Sequence, residues 1–162
     1  MRAFSKNKKN FWYTSGNVYV SQPISPSDWY NFDSSGIRYE PIEKKYSDIS
    51  GNSWKLHSLF SKSEHNVNIS GSTWVDEGVT ISFPGNTPPV AGTYSIQSGQ
   101  ASIQVSFNSD PDVPDWGNST SGIVTVSSLN SGKINIEFHD VLINWTSMFH
   151  STQKLFGNIT CR

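Results

Sequence analysis

Three carboxylates crowd into the segment Asp110-Pro111-Asp112-Val113-Pro114-Asp115, which runs on into Trp116-Gly117-Asn118. Hard cations such as calcium are held by clustered oxygen ligands, so Asp110, Asp112 and Asp115 are the candidate metal ligands of this chain. The prolines stiffen the segment and lower the ordering cost of binding, but the Gly-containing EF-hand loop with its terminal Glu is missing. An acidic solvated loop joining two strands is therefore the favoured reading, ahead of calcium capture or a polar-ligand loop. Aromatic residues offer a second chemistry, because Trp and Tyr rings stack on sugar rings while Asn, Asp and Gln bond the hydroxyls. Of the six Trp, Trp29, Trp116 and Trp145 stand near loop signals and are the candidate ligand-binding residues. Packing beneath a loop is the stronger reading even for these, and Trp54 and Trp74, within or beside strand patterns, are assigned to the core.

Acid–base chemistry has fewer supports. Asp76, Glu77, Glu137, Asp140 and the four His residues fall into no recognised catalytic motif. Glu137 and His139 share the parity opposite to Ile136 and Phe138, which places both on the solvent face of one strand. That arrangement is open to metal binding or proton transfer, though ordinary solvated side chains explain it more simply. His57, His65 and His150 are dispersed and lack zinc-site spacing. Neither a Gly-rich phosphate loop nor a Gly-x-Ser-x-Gly elbow occurs. The single Cys, Cys161, precludes an internal disulfide and has no neighbouring base to activate it. Four Asn-x-Ser/Thr matches, at Asn68, Asn118, Asn144 and Asn158, arise readily in so Asn- and Ser-rich a chain and carry no weight.

The elements that must position these residues are strands. Ser, Thr and Asn make up about a third of the 162 residues and charged residues only 15%, so polarity resides in neutral hydrogen-bonding groups suited to strands and turns. Strong helix formers are sparse, and helix should be minor. The length fits one domain. A formal net charge of −1 removes the electrostatic warrant for nucleic acid. Lys6, Lys8 and Lys9 lie in a polar stretch, and residues 1–10 read as a flexible tether ahead of a domain spanning 11–162. No apolar run reaches the ~18 residues of a spanning helix, and Met1 to Asn10 contains no apolar signal core.

Period-two rows of apolar residues mark the second half: Val79, Ile81 and Phe83; Tyr94 and Ile96; Ile103, Val105 and Phe107; Val124 and Val126; Ile134, Ile136 and Phe138. These residues should be buried. Ser98-Gly99 predicts a hairpin over 91–107, followed by a long loop, and Asn130-Ser131-Gly132 predicts a second hairpin joining 122–129 to 133–143. A last strand covers 154–161. In the first half, strands are expected at 17–22, 37–42, 54–60 and 66–70. Residues 23–28 read as a turn leading into Trp29-Tyr30-Asn31-Phe32, and 48–53 as a turn cluster. About eight to ten short strands with little helix favour an all-β, single-domain antiparallel two-sheet β-sandwich.

The succession of Phe83-Pro84, Gly92-Thr93-Tyr94-Ser95-Ile96, Gly122-Ile123-Val124-Thr125-Val126, Gly132-Lys133-Ile134-Asn135-Ile136-Glu137-Phe138 and Gly157-Asn158-Ile159-Thr160 resembles small β-sandwich lipoproteins of Bacteroidetes cell envelopes, over roughly residues 74–160. The resemblance implies an extracytoplasmic setting and, in a precursor, a lipid-bearing Cys ahead of the tether, where this chain has Phe4. It implies no catalytic residues. The sequence thus points to a non-enzymatic module at a cell envelope or in a secreted assembly, with carbohydrate or protein as partner. A glycan-active hydrolase or lyase using loop carboxylates, and a capsid or appendage subunit, are the alternatives.

Overall fold

The computed structural model describes residues 11–14, 17–33, 38–59, 78–110, 113–146 and 152–162. They form twelve strands: β1 (Phe11–Thr14), β2 (Asn17–Gln22), β3 (Trp29–Asp33), β4 (Arg38–Pro41), β5 (Lys44–Ser50), β6 (Ser53–Leu59), β7 (Gly78–Pro84), β8 (Gly92–Ser95), β9 (Ser102–Asp110), β10 (Val113–Ser128), β11 (Ile134–Trp145) and β12 (Gln153–Cys161). The helical structure among them is one 3-10 turn, Asn130–Gly132. All pairings are antiparallel, so the all-β expectation holds.

The expected division into two sheets is not how the hydrogen bonds run. One ladder continues through β1-β2-β5-β6-β7-β9-β10-β11-β12-β3-β4, with β8 attached to β10, and this single sheet curls into a half-barrel. Interrupted strands produce the curl. Residues 123–126 of β10 pair with β8, whereas its residues 113–118 pair with β9, so β8 and β9 lie end to end along one neighbour. Between its two partners β10 shifts register around Ser119, Ser121 and Ile123, and Gly122 there has φ +127°, the kind of bulge that bends a long strand. A Cβ at Gly122 would approach Val141 Cα to 2.8 Å, so the bend requires glycine in both conformation and space.

Two sequence readings change accordingly. Residues 91–107 are not a hairpin: Ser98-Gly99 closes a local loop, with Gly99 N bonded to Ile96 O and Gln100 N to Ser95 O at 3.0 Å each, after which the chain resumes its original direction. The long loop after Phe107 is also replaced by strand, because β9 continues to Asp110 and β10 begins at Val113. Backbone pairing with β9 and β11 sustains the polar stretch 115–121 as strand without an apolar alternation. The 48–53 turn cluster contracts to Gly51-Asn52, both near φ +60°, a two-residue hairpin turn between the paired Ser50 and Ser53. The hairpin across Asn130-Ser131-Gly132 and the final strand stand where the sequence placed them. Both the 66–70 strand and the tether fall outside the described residues.

The expected rows form the core. Val79, Ile81, Phe83, Ile96, Ile103, Val105, Val124, Val126, Ile136 and Phe138 are buried, with half-buried Tyr94 and Ile134 packed against them. The Phe107 side chain lies outside the described set.

Near the end of β12 the interior turns polar. Lys45 Nζ meets Asp28 Oδ2 at 2.5 Å with both side chains fully buried, and it also donates to Thr160 O. Asp28 accepts from Ser25 N and Thr160 N, each at 2.8 Å, and Gln22 bonds Arg162 through both backbone groups. β2 and β5 are thereby clasped to β12 across the inside of the curl.

Cys161 is buried beside this clasp, and loss of hydration pushes its thiol up to about 12 from an ordinary 9.0. A raised folded-state value means that the neutral thiol favours the fold fully below about pH 9 and progressively less as pH climbs toward about 12. Unfolding free energy should decline through that window in denaturant titrations, and Cys161→Val should remove that component of the slope. An unchanged slope would contradict the burial. Alkylating reagents should modify the thiol only after unfolding.

Candidate functional site

Alternation gives the central strands two unlike faces. In β6, Trp54, Leu56 and Ser58 are buried while Ser53, Lys55, His57 and Leu59 point to the other side. The register carries that outer face across five strands: Tyr46 pairs with His57, His57 with Thr80, Thr80 with Gln104 and Gln104 with Asn118. One row along, Asp48, Lys55, Ser82 and Ser102 are likewise successive partners. On the opposite side of the first row, Gly78, Ser106 and Trp116 are aligned. Amide, hydroxyl, ammonium and aromatic groups thus share one surface, because every strand contributes a polar residue at the same parity.

Local contacts fix several of these groups. His57 Nε2 lies 2.8 Å from Asp48 Oδ1 and Nδ1 lies 3.0 Å from Thr80 Oγ1. The Asp48 carboxylate accepts the Nε2 proton, so in the neutral ring Nδ1 accepts from the Thr80 hydroxyl. Tyr46 stacks on the imidazole at 4.6 Å, and Tyr19 meets Tyr46 edge-on at 5.2 Å. Gln104 Nε2 donates to Asn118 Oδ1 at 3.3 Å, which aligns the two amides. Beside them a shallow open depression of about 350 Å³ is lined by Ser53, Lys55, Thr80, Ser82, Ser102, Ile103, Gln104, Asn118 and Ser119.

The order carboxylate, imidazole, hydroxyl matches that of hydrolytic triads, but the surroundings do not complete one. Thr80 sits in β7, which is paired on both sides, so the backbone N–H groups around it are engaged in the ladder rather than aimed at a developing oxyanion. The arrangement orients the Thr80 hydroxyl on the outer face of the sheet.

The residues nominated by sequence are scattered. Trp116 is half-buried on the outer face, its backbone held by Thr146 N at 2.8 Å. Trp29 opens β3, half-buried, opposite Pro41 and Asn158. Trp145 is 9% exposed and belongs to the core, 5.9 Å from Phe32 and packed over Gly117, where a Cβ would overlap Ile143 and crowd the indole. Asp110 and Asp115 occupy strand ends, but their side chains, and Asp112 altogether, lie outside the described residues. Among the described residues no three His, Cys, Asp or Glu side chains stand close enough to hold a metal ion.

Glu137 and His139 do share the solvent face of β11. His139 Nδ1 lies 2.8 Å from Asp140 Oδ2, and Lys154 Nζ lies 3.0 Å from Asp140 Oδ1. Hydrogen bonding from Lys154, reinforced by its charge and by His139, holds the exposed Asp140 carboxyl below the ordinary carboxylate range. Asp140 adopts φ +55° at the register shift between β11 and β12, so this cluster follows the bend. Sequence reading missed the Tyr46–His57–Thr80–Gln104–Asn118 row altogether, since its members are far apart in the chain and only strand order aligns them. No family model, curated protein or solved structure matches the chain.

Proposed function

We propose that this protein is a non-enzymatic, extracytoplasmic β-module that binds carbohydrate on the outer face of β5, β6, β7, β9 and β10. The observation that carries this reading is the aligned row of Thr80, Gln104 and Asn118, set between the Tyr46–His57 stack and the Trp116 row. Sugar rings need an apolar face to rest on and fixed donors and acceptors for their hydroxyls, and this surface supplies both. The curled sheet serves as a sandwich-like scaffold, a reading supported by the clasp joining β2 and β5 to β12. The extracytoplasmic setting follows from the neutral polar composition and from the resemblance to envelope lipoproteins.

The test is a glycan-array screen followed by calorimetry and amide chemical-shift mapping on the saccharides that bind. Shifts should concentrate on Thr80, Gln104, Asn118 and Trp116, and Gln104→Ala should weaken binding about tenfold, the usual scale for a hydrogen bond lost from a ligand site. Shifts confined to other surfaces would refute the site. Release of reducing ends from a bound glycan would replace this reading with the hydrolase.

A further inference from the structure

The charge distribution in the depression goes beyond general sugar binding. Among the described residues that line it, Lys55 is the sole charged one and none carries a carboxylate. Among the described residues Lys55 has no ion pair. Its register partner on β5 is Asp48, but that carboxylate is turned to His57, its side chain is only 4% exposed, and it does not border the depression. On β7 the register partner of Lys55 is Ser82, which is uncharged. Lys55 therefore borders an open polar hollow furnished with Ser82, Ser102, Gln104 and Asn118. A partly desolvated cation surrounded by neutral donors recognises an anionic group, and the neighbouring amides and hydroxyls fit the remainder of a sugar ring.

We infer that this depression is the subsite for an acidic saccharide, with the carboxylate or sulfate of the sugar seated on Lys55. The inference rests on the carbohydrate-binding reading and specifies its ligand class. Seating the anion between Lys55 and the Ser82 hydroxyl places the ring over Gln104 and Asn118, along the row that ends toward Trp116.

The probes are oligosaccharides in matched pairs, each uronic-acid chain beside its methyl-esterified form and each sulfated chain beside its desulfated form. Calorimetry on the intact protein should show the acidic member binding at least about tenfold more tightly than its neutral counterpart, the scale of a charge-assisted hydrogen bond. The preference should fade as ionic strength rises. Lys55→Gln should bring the two members of a pair to equal, weak affinity, and Lys55→Arg should keep the preference. Melting curves of both variants should match the parent, since Lys55 lies on the outer face. Which pairs respond separates carboxylate from sulfate recognition. Equal binding of acidic and neutral members by the unmodified protein would overturn the acidic-ligand inference and leave carbohydrate binding standing. Binding to no member of any pair, together with no hit among neutral glycans, would overturn both.

Discussion

Asp28→Ala is expected to destabilise the fold by roughly 3–5 kcal/mol, the cost of leaving one partner of a buried ion pair uncompensated. The carboxylate does more than neutralise Lys45. Its two oxygens also accept Ser25 N and Thr160 N, so alanine would strand an ammonium and two backbone donors together in the interior. Lys45→Met removes the other half, leaving a buried carboxylate that retains two backbone donors, and should cost somewhat less than Asp28→Ala. The combination Asp28→Asn with Lys45→Met eliminates both charges while keeping an acceptor for Thr160 N, and should be more stable than the sum of the single effects implies. Denaturant titrations of these three variants and of Asp28→Asn alone decide the matter. A cost below about 1 kcal/mol for Asp28→Ala would show that the clasp contributes little, as exposed ion pairs do.

The second large effect lies where β11 and β12 cross the core. Phe138 and Gly157 are register partners, and the Phe138 ring occupies the space where a Cβ on residue 157 would stand. Gly157→Ala should destabilise by about 1–3 kcal/mol through overpacking, since the ring is fully buried and the other neighbour, Trp29 O, is backbone at 3.0 Å. Phe138→Ala should cost about 3–5 kcal/mol through the cavity it leaves. The two should not add: with the ring gone the new methyl keeps only the close contact with Trp29 O, so Gly157→Ala should cost much less in the Phe138→Ala background than in the parent. A double-mutant cycle reads this directly, and strict additivity would show that the ring does not rest on the glycine.

Much of the architecture was legible in the chain because period-two alternation is a local property. Val79, Ile81 and Phe83, or Ile134, Ile136 and Phe138, announce a strand and its buried face with no knowledge of their partners. Turn chemistry was legible for the same reason at Asn130-Ser131-Gly132. It misled at Ser98-Gly99, where a tight loop between strand segments does not reverse the chain, and local residue preferences cannot tell a reversal from an interruption. Strand pairing also rescued the polar stretch 115–121, whose composition alone reads as loop. Trp145 illustrates the converse case: it stands near loop signals, yet Gly117 on the neighbouring strand opens a place for its indole in the core.

The residues themselves determined an all-β chain with little helix, the identity of its main core rows and the neutral polar character of its exterior, because these follow from side-chain type and alternation along one strand. Tertiary structure alone decided that the strands join in one curled sheet, that Asp28 and Lys45 meet in its interior, and that Tyr46, His57, Thr80, Gln104 and Asn118 stand in line. Each of those outcomes depends on which strands become neighbours and in what register. That choice is made by the summed burial of the whole chain, so no local window of sequence records it.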